Sequence, residues 1–165
     1  MDGPAPSMGA ARAMEDWLAQ LGAVRGASPR TIEAYRRDVS GYLGFLAGHW
    51  GGPAGVGALA RVAVADTRAW MARERARGLS ARSLARALSA VRSFHAWLAE
   101  AHGVIAPAVT ATRSPRRKDR LPRPVAPDAA KALIAAVADQ SLEPWIAARD
   151  VAVTTLLYGC GLRIS

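Results

Sequence analysis

Gly78-Leu79-Ser80-Ala81-Arg82-Ser83-Leu84-Ala85-Arg86-Ala87-Leu88-Ser89-Ala90-Val91-Arg92-Ser93-Phe94 is the stretch that decides what this chain folds into. Ser80 follows a glycine break, and its hydroxyl can cap a helix by accepting from a free backbone N–H. Carried on to Ala101, at roughly 100° per residue, the segment puts Leu84, Leu88, Val91, Phe94 and Leu98 on one side. Arg82, Arg86, Ser89 and Ser93 gather within about 60° of one another on the opposite side, with Arg92 at the edge. Gly103 closes the helix. A solvated helix face commonly mixes Glu with Arg in i,i+4 pairs. This one carries Arg and Ser and no acidic residue of its own, the composition of a helix laid against phosphates or a major groove. The plainer alternative is an ordinary solvated face.

Working towards the N-terminus, the same helical period recurs. Ala11, Met14, Trp17, Leu18 and Leu21 share one face over 11–21, and Gly22 to Ala27 reads as a break. Ser28-Pro29 reads as N-cap and first helical residue, since proline loses nothing where no N–H partner exists. Ile32, Tyr35, Val39, Tyr42, Leu43 and Leu46 then form an apolar stripe, with Arg30, Glu33, Arg37 and Ser40 on the other side. Gly48 to Gly57 is a glycine-rich loop. A third helix is expected over about 65–77, with Trp70 and Met71 inward and Asp66 as a cap; Gly78 ends it. No stretch alternates with period two long enough to make a strand. Trp17-Leu18, Trp70-Met71 and Trp97-Leu98 are unequally spaced, so they read as three core anchors and not as a repeat.

Towards the C-terminus the chain changes character. Pro107, Pro115, Pro122 and Pro124 forbid one continuous helix, and Arg113, Arg116, Arg117, Lys118, Arg120 and Arg123 lie among them. An extended basic linker is expected over 106–125, either a mere connector or an electrostatic strap across a duplex backbone. Two further helices are expected over about 127–138 and 145–158, with Gly159 and Gly161 ending the second. Two helices make a poor core alone, so 126–165 reads as the start of something larger.

The charge balance agrees. The 165 residues hold 22 Lys+Arg against 13 Asp+Glu, a net charge of +9. All but Lys118 and Lys131 of the basic residues are Arg, whose planar fork grips phosphate with two hydrogen bonds. A GC-rich genome also raises Arg and Ala together, so composition alone does not decide. Position says more: residues 111–125 hold six basic residues against one acidic, over half of the net charge. No apolar run approaches the ~20 residues that span a bilayer. The first residues do not read as a secretory leader, and a single cysteine, Cys160, permits no intrachain disulfide. An intracellular, cytoplasmic protein is expected. A role at an anionic membrane surface is disfavoured, because the basic face of 81–101 lacks flanking bulky apolar residues to embed.

Four blocks, taken in order, go further. They are Ser28-Pro29-Arg30-Thr31-Ile32-Glu33-Ala34-Tyr35-Arg36-Arg37-Asp38, the 78–94 stretch, Leu121-Pro122-Arg123-Pro124, and Ala148-Arg149-Asp150 with Leu156-Leu157-Tyr158-Gly159-Cys160-Gly161-Leu162-Arg163-Ile164-Ser165. Together they closely resemble the Xer branch of the tyrosine site-specific recombinases, a phage integrase family, over nearly the whole chain. The resemblance implies an all-α fold. A SAM-like four-helix core-binding domain (1–105) would clamp one side of a recombination half-site in double-stranded DNA. A basic linker (106–125) would lead to the incomplete start of a catalytic domain (126–165). It implies cutting and rejoining of DNA through a 3′-phosphotyrosyl intermediate, in chromosome dimer resolution or DNA integration, with no metal or nucleotide cofactor. It also implies a second recombinase as partner in a DNA-bound tetramer.

Arg163 corresponds to the family's catalytic arginine, which holds the scissile phosphate; from its own surroundings it reads only as a surface Arg near two glycines. The expected DNA contacts are Arg82, Arg86, Ser89, Ser93 and Arg92, then Arg30 and Arg37, then Arg116, Arg117 and Lys118. Cys160 departs from the family's usual Thr or Ser. None of His49, His95 or His102 begins a His-x-x-Arg motif. Tyr35 and Tyr42 fall on a core stripe and Tyr158 on a helix expected to be buried, so none reads as the nucleophile. The parent is expected to be an enzyme, and this chain to bind DNA without cutting it. A stand-alone helical DNA-binding or architectural protein, or a fragment of a phage- or integron-type integrase, remains the alternative.

Overall fold

A computed structural model describes residues 6–115 and 125–162. Among them there are helices and no strands. The chain divides into two compact units, Met1–Lys118 and Asp119–Ser165.

The first unit is built on four long helices: α1 (Met8–Arg25), α2 (Pro29–His49), α3 (Val64–Ala76) and α4 (Ala81–His102). Each start has a local cause. Ser7 accepts from the Ala10 N–H at 3.2 Å and Ser28 from Thr31 at 3.3 Å, with Pro29 at the first helical position. Asp66 reaches back to the Ala63 N–H at 2.9 Å, and Ser80 caps α4 through the Ser83 N–H at 3.2 Å. Gly103 ends α4 in the left-handed region, at φ 66°.

These helices bury one core. Trp17, Leu18, Tyr42, Leu46, Trp70, Leu84, Leu88, Val91, Phe94 and Leu98 are all inaccessible or nearly so. Trp17 stacks on Tyr35 and meets Phe94 at a tilt, with centroids 5.9 and 5.4 Å away, and Tyr42 meets Trp70 edge-on at 5.2 Å. α2 is central, packing against α1, α3 and α4. A 3-10 turn, Val56–Arg61, adds Leu59 beneath α1.

Several expected boundaries move. α1 runs through Gly22 to Arg25, and the break falls at Gly26 (φ 61°). Ile32 packs close over Gly22; a Cβ there would lie 3.1 Å from Ile32 Cδ1. α2 continues through Gly48 to His49. Ala11, Met71 and Trp97 are only partly buried, whereas Ala13 and Phe45 are core residues. Pro107 does not continue an extended linker: it opens a one-turn helix, α5 (Pro107–Ala111), whose Val109 is fully buried and which packs on α3 and α4.

The second unit contains α6 (Pro127–Ala138) and α7 (Pro144–Gly159), packed on each other. Among its described residues only Ala130 is buried. Trp145, Leu156 and Tyr158 are exposed at 64, 54 and 49%, so the expectation of a buried Tyr158 is not met. Among the described residues no helix is long and apolar enough to cross a membrane.

Inside the first unit, His95 Nε2 lies 3.2 Å from the Tyr42 hydroxyl, while its Nδ1 is buried without a partner. Burial lowers the His95 pKa from 6.5 to about 4 and raises that of Tyr42. Above pH 6.5 His95 is neutral in both folded and unfolded chains. Between 6.5 and 4 only the unfolded chain takes up the proton, so stability falls with pH and levels off below 4. The loss over that window is roughly 3 kcal/mol. Urea titrations followed by tryptophan fluorescence should show it in the native chain and not in His95→Asn; parallel pH curves for the two proteins would refute it.

Candidate nucleic-acid interface

The site is the outer face of α4. Because Leu84, Leu88, Val91, Phe94 and Leu98 are buried, the residues half a turn away must face outward. Arg82, Arg86 and Ser89 are exposed there and Ser93 is half-exposed. Arg82, Ser83, Ala85, Arg86, Ser89 and Ser114 line a shallow groove of about 510 Å³. Ser89 donates to the Ala85 carbonyl at 3.0 Å, an in-helix bond that leaves the hydroxyl oxygen able to accept from a ligand.

Among the described residues one carboxylate reaches this face. Asp38 of α2 accepts from Arg86 Nη2 at 3.1 Å. No local pattern announces the pair, since the residues lie 48 positions apart. Burial pushes the Asp38 carboxyl above its usual range, while Arg86 and Arg37 pull the other way. The face is therefore exposed as expected, but Arg86 is partly neutralised.

Arg92 has a different job. Its guanidinium donates to the carbonyls of Thr112, Thr110 (3.4 Å) and Val109, the carbonyl end of α5. A cation there offsets the unpaired carbonyls of the helix end. With Thr112 buried and its hydroxyl on the Ala108 carbonyl at 2.9 Å, the clamp fixes where the chain leaves the bundle, and Ser114 enters the α4 groove two residues later.

Of the other expected contacts, Arg30 is exposed at the start of α2. Arg37 is exposed and pairs with Glu33 at 3.4 Å. Arg116, Arg117, Lys118 and Arg163 lie outside the described residues. A second groove, of about 500 Å³, brings Arg37 together with Arg73 of α3 and Arg77 at its C-terminal cap, and with Asp38 and Glu74. Sequence reasoning passed over Arg73 and Arg77, although their i,i+4 spacing towards the end of the third helix was a usable signal.

Comparison with known proteins follows this geometry. The family described as phage integrase, N-terminal SAM-like domain, matches residues 14–102. The chain is 44% identical to Tyrosine recombinase XerC of Mesorhizobium japonicum over 97% of its own length and 51% of that protein's. It is 42% identical to Tyrosine recombinase XerC of Rhodospirillum centenum, over 100% of the chain and 50% of the relative. Against Tyrosine recombinase XerC of Methylobacterium nodulans it is 46% identical, over 90% and 46%. The chain thus spans about half the length of the curated relatives it matches. No solved structure matches it significantly.

Removing the Arg92 clamp should loosen α5 while sparing the bundle. Arg92→Ala should cost about 1–3 kcal/mol and speed amide exchange at Val109–Thr112, read by hydrogen exchange. Unchanged protection of those amides would show that Arg92 does not hold the segment.

Proposed function

The chain belongs to the phage integrase family, carrying its N-terminal SAM-like domain, and we propose that it is the DNA-binding half of a Xer-type tyrosine recombinase. The observation that supports this most is the exposed Arg/Ser face of α4, backed by a fully buried apolar face and opening on a groove. A helix so divided presents guanidinium forks and hydroxyls, the groups that bind phosphate oxygens and base edges.

In this reading α4 enters or borders the major groove through Arg82, Arg86, Ser89 and Ser93. Arg30 and Arg37 of α2 contact the flanking backbone. Arg116, Arg117 and Lys118 add a salt-sensitive, sequence-blind grip. Arg92 contributes by holding the chain at Thr112 rather than by touching DNA. Arg163 holds the scissile phosphate in the whole recombinase, where a fixed guanidinium stabilises developing charge during tyrosine attack. The whole protein works with a second recombinase in a DNA-bound tetramer, in the cytoplasm, resolving chromosome dimers or integrating DNA. The 165 residues by themselves bind a half-site without cleaving it, since they carry no His-x-x-Arg motif.

Replacing Arg82 and Arg86 together with Ala should lower affinity for duplex DNA by about tenfold or more, with helicity by circular dichroism unchanged. Equal affinity in the variant would remove α4 from the interface.

A further inference from the structure

Arg82 and Arg86 sit one turn apart on the same face, yet their surroundings differ. Among the described residues Arg82 makes no ion pair. Arg86 donates from Nη2 to Oδ1 of Asp38 at 3.1 Å. The Asp38 side chain is only 7% exposed, and its Oδ2 is buried with no partner. This carboxylate cannot turn to solvent while α2 and α4 stay packed, so its position is fixed by the core below it.

Two consequences follow for Arg86. A guanidinium is planar, and pinning one of its nitrogens restricts the orientation of the whole fork. Its side chain remains 45% exposed, so the donors not used by Asp38 are available to the groove shared with Arg82 and Ser89. Its charge is also offset by the carboxylate beside it. An oriented fork with reduced net charge is a poor counterion for a phosphate, whose binding is dominated by charge. It suits a base edge, where geometry decides: the O6 and N7 of guanine accept from such a fork as a bidentate pair. An arginine with no ion pair among the described residues, such as Arg82, suits phosphate.

Resting on the DNA-binding reading above, we infer that Asp38 is a positioning residue that holds Arg86 as the guanine-reading side chain of this face, while Arg82 grips the backbone. The test is selection of bound duplexes from a randomised library by the full chain, followed by salt titration of the selected site. The native chain should select a site with a fixed guanine. Arg86→Lys, which keeps the charge but loses the fork, should reduce that preference about tenfold or more, and so should Asp38→Asn. Arg82→Ala should keep the preference and lower the slope of log affinity against log salt by about one. Arg86→Lys should leave that slope unchanged, and because the residue is exposed it decides the matter even if Asp38→Asn does not fold. Undiminished guanine preference in Arg86→Lys would overturn the assignment of Arg86. Undiminished preference in folded Asp38→Asn would reduce Asp38 to a structural tie. Tight binding with no sequence preference would overturn the guanine reading and leave DNA binding standing, whereas binding to no duplex at all would overturn both.

Discussion

The two-faced burial of α4 is the constraint on which the rest depends. Leu84, Leu88, Val91, Phe94 and Leu98 are removed from water against the other helices. At about 1.5–3 kcal/mol for each large side chain fully buried, turning the helix to hide its arginines would sacrifice more than any surface ion pair could return. The rotational setting of α4 is therefore fixed by its apolar side, and the Arg/Ser side is exposed as a consequence. Tyr42 and His95 pin the same setting from within: each buries a polar atom whose only partner is the other, so a slip of α2 past α4 would strand both.

Much of this was legible in the chain because the signals were local. Ser28-Pro29 and Ser80 are cap chemistry acting across three residues, and the α2 and α4 stripes are periodic. The errors share a cause as well. Gly22 and Gly48 read as stops in the sequence, but glycine in a helix costs only about 1 kcal/mol against Ala, less than the packing around α1 and α2 supplies. Pro107, by its spacing with the later prolines, reads as part of an extended linker. Proline is also a good first helical residue, and the apolar contacts of Val109, with Arg92 on the carbonyls beyond, decide for a turn of helix. The Asp38–Arg86 pair was illegible for the opposite reason: it exists only once α2 lies on α4, and nothing in either segment names the other.

The second unit shows what sequence periodicity cannot distinguish. α6 carries an apolar stripe as α4 does and α7 is apolar nearly all round, yet Leu133, Trp145, Val153 and Leu156 remain exposed. Periodicity reports which face seeks a partner and does not report whether the partner is present. Two helices offer each other too little area to satisfy all of these side chains, and the relatives of this chain run to about twice its length.

Net charge overstates what the first unit can offer a polyanion, because many of its arginines are engaged. Arg36 is held bidentately by Glu15 at 2.9 and 2.7 Å, Arg61 lies over Trp50, Arg73 over Phe45, and Arg92 on carbonyls. The pairs that remain are not equally breakable. Arg37 and Glu33 are each 71% exposed, and such an i,i+4 pair contributes about 0.3–0.5 kcal/mol, so a phosphate can take Arg37 at almost no cost. Drawing Arg86 away would leave the Asp38 carboxylate with only the pull of Arg37 against the burial that already raises its pKa. On the DNA-binding reading proposed above, Arg86 meets a polyanion with Asp38 still attached, beside Arg82, which makes no ion pair among the described residues.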